Sequence, residues 1–354
     1  MRAVRLHGPL DLRPSEDPFP GPPANGEALV KIEAVGVCGS DLHMYETGGI
    51  GGRTVDHPFR LGHEFAGTVI AAGANACTED GISLKPNQRV AVEPAVPCGQ
   101  CENCREGNPN LCPHHQFFGV PPDDGALCEQ LLVPARNCFV LPDTVSPEAG
   151  ALLEPLGVAL HAVDLAKLRP GNSVAIFGAG PIGLLILSVA RMAGAFPLYV
   201  FDPIPERRAK ALELGATAAW DVAPTDNTTL QPLLVATAGR GVDVVVEAAD
   251  AGRSIDLSFT AVRPGGRAVL VGIPPHGESQ FNHANPRRKG LTVRFSRRMK
   301  HTYPRAIALY AHPMMKGAID GLVTHRFPLS ETARAFDLVH HYRDGVLKAM
   351  IGLA

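Results

Sequence analysis

The chain carries no surplus of positive charge: Lys and Arg number 33 against 35 Asp and Glu. A protein that grips phosphate backbones or an acidic membrane surface needs such a surplus, so nucleic acid and membrane are not its expected partners. A long apolar run is missing too. The stretch PIGLLILSVA is stopped by Arg191, short of the roughly 20 residues that a membrane-spanning helix requires. The opening MRAVRLHGPLDLRP breaks its apolar residues with charges and so lacks the continuous apolar core of a signal peptide. Neither an internal repeat nor a low-complexity tract is found. A cytoplasmic protein is therefore expected. In a reducing compartment, clustered cysteines serve as metal ligands or redox groups more often than as disulfides.

The length of 354 residues predicts about two domains with cores of ordinary size. Short β-branched runs such as ALVKIEAVGV, FAGTVIAAG and QRVAVEPAV, separated by Gly and Pro, predict a β-rich first part. From Pro170 onward strands alternate with helical runs: SVAIF, IGLLILSVARMAG, LYVFD, ERRAKALELGA, VDVVVEAA and RAVLVGI. That alternation predicts an α/β doubly wound parallel sheet. Beyond Arg294 the chain reads as mixed helix and strand that packs back onto the first domain.

Cys98, Cys101, Cys104 and Cys112 stand in one loop, PCGQCENCREGNPNLC. Their stepped spacing lets four thiolates fold round one ion, as a closed tetrahedral zinc site demands. A short CxxC can form a redox disulfide instead, but three evenly stepped cysteines leave one unpaired. A closed four-sulfur site has no vacant position for substrate. This loop is a structural staple, and the chemistry is expected elsewhere.

GAGPIG, beginning at Gly178, follows the strand SVAIF and precedes a helical run, which gives a GxGxxG pattern its weight. Gly178 permits a tight turn, Gly180 lets the backbone approach a pyrophosphate, and Gly183 lets helix and strand pack closely. Pro181 and Ile182 complete the loop. Asp202, ending LYVFD, stands where a carboxylate accepts hydrogen bonds from an adenosine ribose and repels a 2′-phosphate, so NAD is favoured over NADP. Arg207 and Arg208 point the other way, since a guanidinium near the ribose suits NADP. A solvated helix face is their plain alternative.

A second metal candidate comes from GVCGSDLH, LGHEFAG and LLEPLG. Cys38, His63 and one carboxylate would give a catalytic zinc three protein ligands and an open fourth position. Neighbours in a regular strand point to opposite faces, so His63 and Glu64 can ligate together only where the backbone is irregular, which Gly62 permits. Otherwise Glu154 supplies the oxygen. Singly, Cys38 reads as a small buried hydrophobe, His63 as a core histidine and Glu154 as a local pairing group.

Taken in order, CGSDLH, LGHEFAG, the four-cysteine loop, EPLG and GAGPIG resemble the zinc-dependent medium-chain alcohol dehydrogenases, across nearly the whole chain. PPDDGALC, GHE and LLEPL look most like the sorbitol and xylitol (polyol) branch. The resemblance implies a discontinuous GroES-like β-barrel catalytic domain, residues 1–153 and 295–354. A Rossmann domain, 154–294, is inserted in it, with the active site in the cleft between. It further implies one catalytic zinc on Cys38, His63 and Glu64, with Glu154 binding directly or through water, and one structural zinc. Ser40 and His43 match the family's proton-relay positions, and Arg298 its substrate arginine. NAD would then take hydride from a secondary hydroxyl, giving a ketone.

Val120 and Met299 stand where a threonine and a tyrosine are common in that branch, which weakens selection for a long polyol. A site that hydrogen-bonds substrate hydroxyls discriminates strongly, whereas an apolar lining does not. A threonine or vicinal-diol (butanediol-type) dehydrogenase is the rival enzyme, and an acidic sugar would suit Arg297, Arg298 and Lys300. A non-catalytic zinc and dinucleotide binder is the rival of another class. Oligomers are usual in the family, and the resemblance points to a homotetramer.

Overall fold

Strands in the first half of the chain are built from short apolar runs, most of whose residues are buried. In this computed structural model, residues 1–50, 52–222, 227–249, 251–274 and 278–353 are described. The chain divides into two units: Met1–Glu154 with Tyr303–Ala311 and Ile319–Ala354, and Pro155–Thr302 with His312–Ala318.

In the first unit, Glu27–Gly36 lies between the antiparallel strands Glu64–Ala72 and Lys348–Gly352. Arg89–Val92 and then Cys138–Val140 extend the sheet beyond Glu64–Ala72, while Val323–Pro328 pairs in parallel with Lys348–Gly352. While Arg2–Gly8 and Asp11–Glu16 pair separately, strands from before residue 141 and strands from Val323 onward thus share one sheet. Its inward face carries Ile32, Val35, Phe65, Val90, Val92 and Ile351, all within 1 % of full burial. Side chains of that size contribute about 1.5–3 kcal/mol each when removed from water.

The segment that leads to His63 is fixed from the other side. Leu6 and Phe59 exchange backbone hydrogen bonds at 2.7 and 3.0 Å. Asp17 accepts from the Arg5 guanidinium at 2.9 and 2.7 Å and pairs with Arg60, while the Arg60 backbone amide donates to Asp124 at 2.9 Å. A carboxylate held by two guanidiniums in this way pins residues 58–61 to the N-terminal strand.

The second unit holds six parallel strands in the order Ala218–Trp220, Leu198–Phe201, Val174–Phe177, Val242–Glu247, Val262–Leu270, Thr292–Phe295. Three central β-branched or apolar runs, Leu198–Phe201, Val174–Phe177 and Val242–Glu247, are buried on both faces, as a doubly wound sheet requires. The order reverses at Val174–Phe177, the switch point at which such sheets bind nucleotides. One helical stretch among the described residues, Pro147–Ala166, is long and apolar enough to cross a membrane. Its most apolar window is 83 % buried inside the protein, as a core helix is.

Candidate metal centres

Cys38 ends the run after Glu27–Gly36 and stands at the N-cap of the helix Gly39–Thr47. His63 precedes the strand Glu64–Ala72, whose first residue is Glu64. Gly62 adopts φ 93°, in the region that glycine enters without strain, and a Cβ there would come within 2.7 Å of Val35 Cγ1. The backbone is therefore irregular at this point. Strand alternation begins only at Glu64, and one donor atom from each of Cys38, His63 and Glu64 lies within 4.8 Å of the others.

Asp41 holds this group in place. It is fully buried, accepts from the Cys38 amide at 3.1 Å and the Gly62 amide at 3.3 Å, and stands 3.2 Å from His63 Nδ1. An anion on one imidazole nitrogen orients the ring and makes the other a better donor. His63 Nε2 faces the cluster, 3.4 Å from Ser40 Oγ, which is also 3.5 Å from Cys38 Sγ. Burial pushes the His63 imidazole down, but the charges of Asp41 and Cys38 more than offset it and hold the group well above its ordinary value.

Glu64 is 1 % exposed and meets Lys348, itself 2 % exposed. The ammonium donates to Oε1 at 2.7 Å and lies 2.5 Å from Oε2. Gly36 makes room for the carboxylate, because a Cβ there would sit 2.1 Å from Oε2. With the thiol ionised, as metal binding requires, Cys38, Asp41 and Glu64 outnumber Lys348 by two negative charges. A group of this charge, half-buried at Cys38 and buried at His63 and Glu64, with a sulfur, a nitrogen and an oxygen donor, fits a divalent zinc ion.

Glu154 is 5 % exposed in the first turn of the helix Leu153–Ala166 and stands outside the group of donors within 4.8 Å. His43 follows Ser40 by three positions on the Gly39–Thr47 helix, hence on the same face. Asp41 and Lys348, which contact these donors, are not among the candidates read from the sequence. A lone lysine in the otherwise apolar strand KAMIG was the signal for one. An aspartate three residues after Cys38 was the signal for the other.

The four cysteines of the loop also converge, their sulfurs within 4.8 Å of one another. Cys101 and Cys104 are 3.4 Å apart, and the Cys98 amide points at Cys112 Sγ at 3.4 Å. Backbone amides of Gln100 and Cys101 bring the Cys98 thiol down to about 6. All eight cysteines are free of disulfides. Closed four-sulfur geometry of this kind is that of a structural zinc.

In the second unit, Gly178 has φ 95° and packs so tightly that a Cβ would meet the Ala248 carbonyl at 2.5 Å. A Cβ on Gly183 would meet the Gly178 carbonyl at 1.8 Å. Gly180 caps the helix Pro181–Met192, with Pro181 in its first turn and Ile182 next, and the nearest atom to a Cβ on it is Arg207 Nη1 at 3.7 Å. Asp202 is 2 % exposed and accepts from the amides of Ala179 at 2.7 Å and Ile204 at 2.8 Å. Arg208 donates to the Asp202 carbonyl at 2.7 Å and stands 3.5 Å from Asp221. Arg298 takes a left-handed φ of 54°, and Met299 is buried at 3 % exposure against Gly157.

Two family models match the chain in order: the alcohol dehydrogenase GroES-like domain over residues 24–143 and the zinc-binding dehydrogenase over 181–312. The sorbitol dehydrogenase of Bacillus subtilis (strain 168) is 36 % identical over 99 % of this chain and 97 % of its own length. That of Homo sapiens is 38 % identical over 94 % and 90 %. Among solved structures, the 2R,3R-butanediol dehydrogenase of Bacillus subtilis superposes with a TM-score of 0.85 at 30 % identity, covering 100 % of this chain and 99 % of that one. An alcohol dehydrogenase from Escherichia coli CFT073, solved with NADH, gives 0.86 at 30 % identity with the same coverage. Two family models in sequence order, and relatives alike over almost their whole length, mean that the chain belongs to the zinc-binding alcohol dehydrogenases and is an oxidoreductase with a GroES-like and a Rossmann part.

Proposed function

We propose that this enzyme oxidises a secondary hydroxyl of a polyol or related sugar derivative to a ketone, with NAD taking the hydride and one proton released. The observation that carries this reading is the Cys38, His63, Glu64 group, half-buried at the cysteine and buried at the other two, with its donor atoms within 4.8 Å of one another. Zinc bound there would supply Lewis acidity that makes a hydroxyl give up its proton near neutral pH. Ser40 Oγ, 3.4 Å from His63 Nε2 and 3.5 Å from Cys38 Sγ, is the hydroxyl that receives this proton. His43, partly exposed on the same helix face, passes it to solvent. Glu154 serves as a further carboxylate near the reaction, through water or as an exchanging ligand.

Gly178, Gly180, Pro181, Ile182 and Gly183 take the pyrophosphate, with Arg207 beside Gly180. Asp202 favours NAD, because a 2′-phosphate beside a buried carboxylate would be repelled. The commitment of Arg208 to Asp202 and Asp221 supports the same choice. Cys98, Cys101, Cys104 and Cys112 hold the structural zinc. Arg298 is the proposed substrate contact, and a cytoplasmic homotetramer, by analogy with the family, belongs to the same reading.

A vicinal diol is the second candidate substrate, favoured by Val120 and Met299, which offer no side-chain hydroxyl. Initial rates with sorbitol, xylitol, 2,3-butanediol and threonine, each with NAD and NADP, test the reading. The highest kcat/KM is expected for a polyol with NAD. Best turnover of butanediol would move the substrate to the diols. No reduced cofactor from any alcohol, with one zinc per chain, would leave a binding protein.

A further inference from the structure

Lys348 is a buried cation that no step above uses. Its ammonium donates to the Val37 carbonyl at 2.9 Å and to Glu64 Oε1 at 2.7 Å. The contact is built across three strands. Glu64 pairs with Gly36, Gly36 pairs with Met350, and Lys348 lies two residues before Met350, on the same face of its strand. Gly36 lacks the Cβ that would block the carboxylate. Burying an ammonium is costly unless an anion answers it, so the lysine is retained here at an energetic disadvantage that a plain apolar strand residue would avoid.

The supports behind the two neighbouring donors have opposite sign. Behind His63 stands Asp41, an anion, which strengthens the imidazole as a donor. Behind Glu64 stands an ammonium, which competes for the carboxylate's lone pairs and repels a dication. We propose that Lys348 is a positioning residue that fixes Glu64 and weakens it as a metal donor, so that the zinc on Cys38, His63 and Glu64 is held less tightly than its ligands alone would hold it. This rests on the reading of Glu64 as a metal donor. One consequence separates tuning from mere packing. Loss of a packing contact lowers metal affinity, whereas loss of this cation leaves an unpaired buried carboxylate whose best partner is the metal, and raises it.

The test measures zinc retained per chain by the holoenzyme against rising dipicolinate, for wild type, Lys348→Met and Lys348→Arg. Cys38→Ser supplies the release curve of the four-cysteine site alone. Supports behind metal ligands change affinity by roughly tenfold or more, so Lys348→Met should need about tenfold more chelator to release the zinc of the three-donor site. Lys348→Arg keeps the charge and should stay near wild type. Should Lys348→Met fail to fold, Glu64→Gln and Glu64→Gln/Lys348→Met decide: the double variant should keep zinc at higher chelator than the single one, since its metal no longer faces an unanswered ammonium. Release from Lys348→Met at equal or lower chelator than wild type overturns the proposal, as does a double variant no better than Glu64→Gln. A wild-type curve identical to that of Cys38→Ser would instead remove the three-donor site itself, and the proposal with it.

Discussion

Gly36→Ala is the smallest change that tests whether the Glu64 carboxylate must lie where it does. The new methyl would meet Oε2 at 2.1 Å and both Cβ and Cδ of Glu64 at 3.3 Å, so something has to move. Gly36 belongs to a strand paired on both sides, and backing away would break its pairing with Glu64–Ala72 and Lys348–Gly352. The carboxylate therefore swings off Lys348. Separating a buried ion pair costs about 3–5 kcal/mol, against about 1–3 for overpacking that the backbone absorbs. With a loss of about 3 kcal/mol, Tm should fall by about 6–12 °C for a unit of this size. Withdrawal of the carboxylate should also release the zinc of the three-donor site. Circular dichroism melts with metal content on the same samples read both effects. Gly39→Ala is the control, because nothing lies within 4 Å of a Cβ at that position. A Gly36→Ala protein that melts within ~2 °C of the control and keeps its zinc would refute the reasoning.

The two metal groups should separate under mutation. Cys38→Ser is expected to abolish alcohol oxidation with little change in Tm, while Cys101→Ser opens a closed site whose binding energy is folding energy and so lowers Tm first; equal losses of stability would contradict this. Acid stability provides another test: burial alone would raise the Asp17 carboxyl, but hydrogen bonds from Arg5 and Arg60 bring it down to about 2. A depressed carboxyl adds stability above its ordinary range and loses it as pH falls through the folded-state value, a contribution of about 2 kcal/mol at neutral pH. Asp17→Asn should therefore melt several degrees below wild type at pH 7, with the gap closing between about pH 4 and pH 2. A gap independent of pH would show that the carboxylate's charge is not what holds residues 58–61.

Local spacing carried most of what could be read from the residues alone. Four cysteines in one short loop announce convergence because a chain that turns at Gly99 and Gly107, both at positive φ, has little freedom to keep them apart. A strand, a glycine turn and a helix in succession likewise leave GAGPIG a single arrangement, one in which the Gly178 carbonyl fills the space of a Gly183 side chain. Whether Glu64 can join His63 was different in kind. It depends on where a strand begins, and alternation alone would have turned His63 and Glu64 to opposite faces. The strand starts at Glu64 because Gly62, at φ 93°, bends the approach, a backbone angle that the letter G permits and does not specify.

Asp41 and Lys348 escaped notice for separate reasons, and the contrast says how the site is assembled. Asp41 lies among the donors in sequence, but an aspartate in the first turn of a helix is equally well explained by favourable contact with the helix N-terminus. Its distances to the Gly62 amide and to His63 Nδ1 give it the second role. Lys348 lies 284 residues from Glu64, and no spacing rule reaches that far. The donors Cys38, His63 and Glu64 come from one continuous stretch and are brought together where Glu27–Gly36 pairs with Glu64–Ala72. The ammonium against Glu64 comes from the C-terminal strand, which pairs with the other side of Glu27–Gly36. The donor set is therefore local in sequence, whereas its counter-charge is supplied by the topology of the sheet.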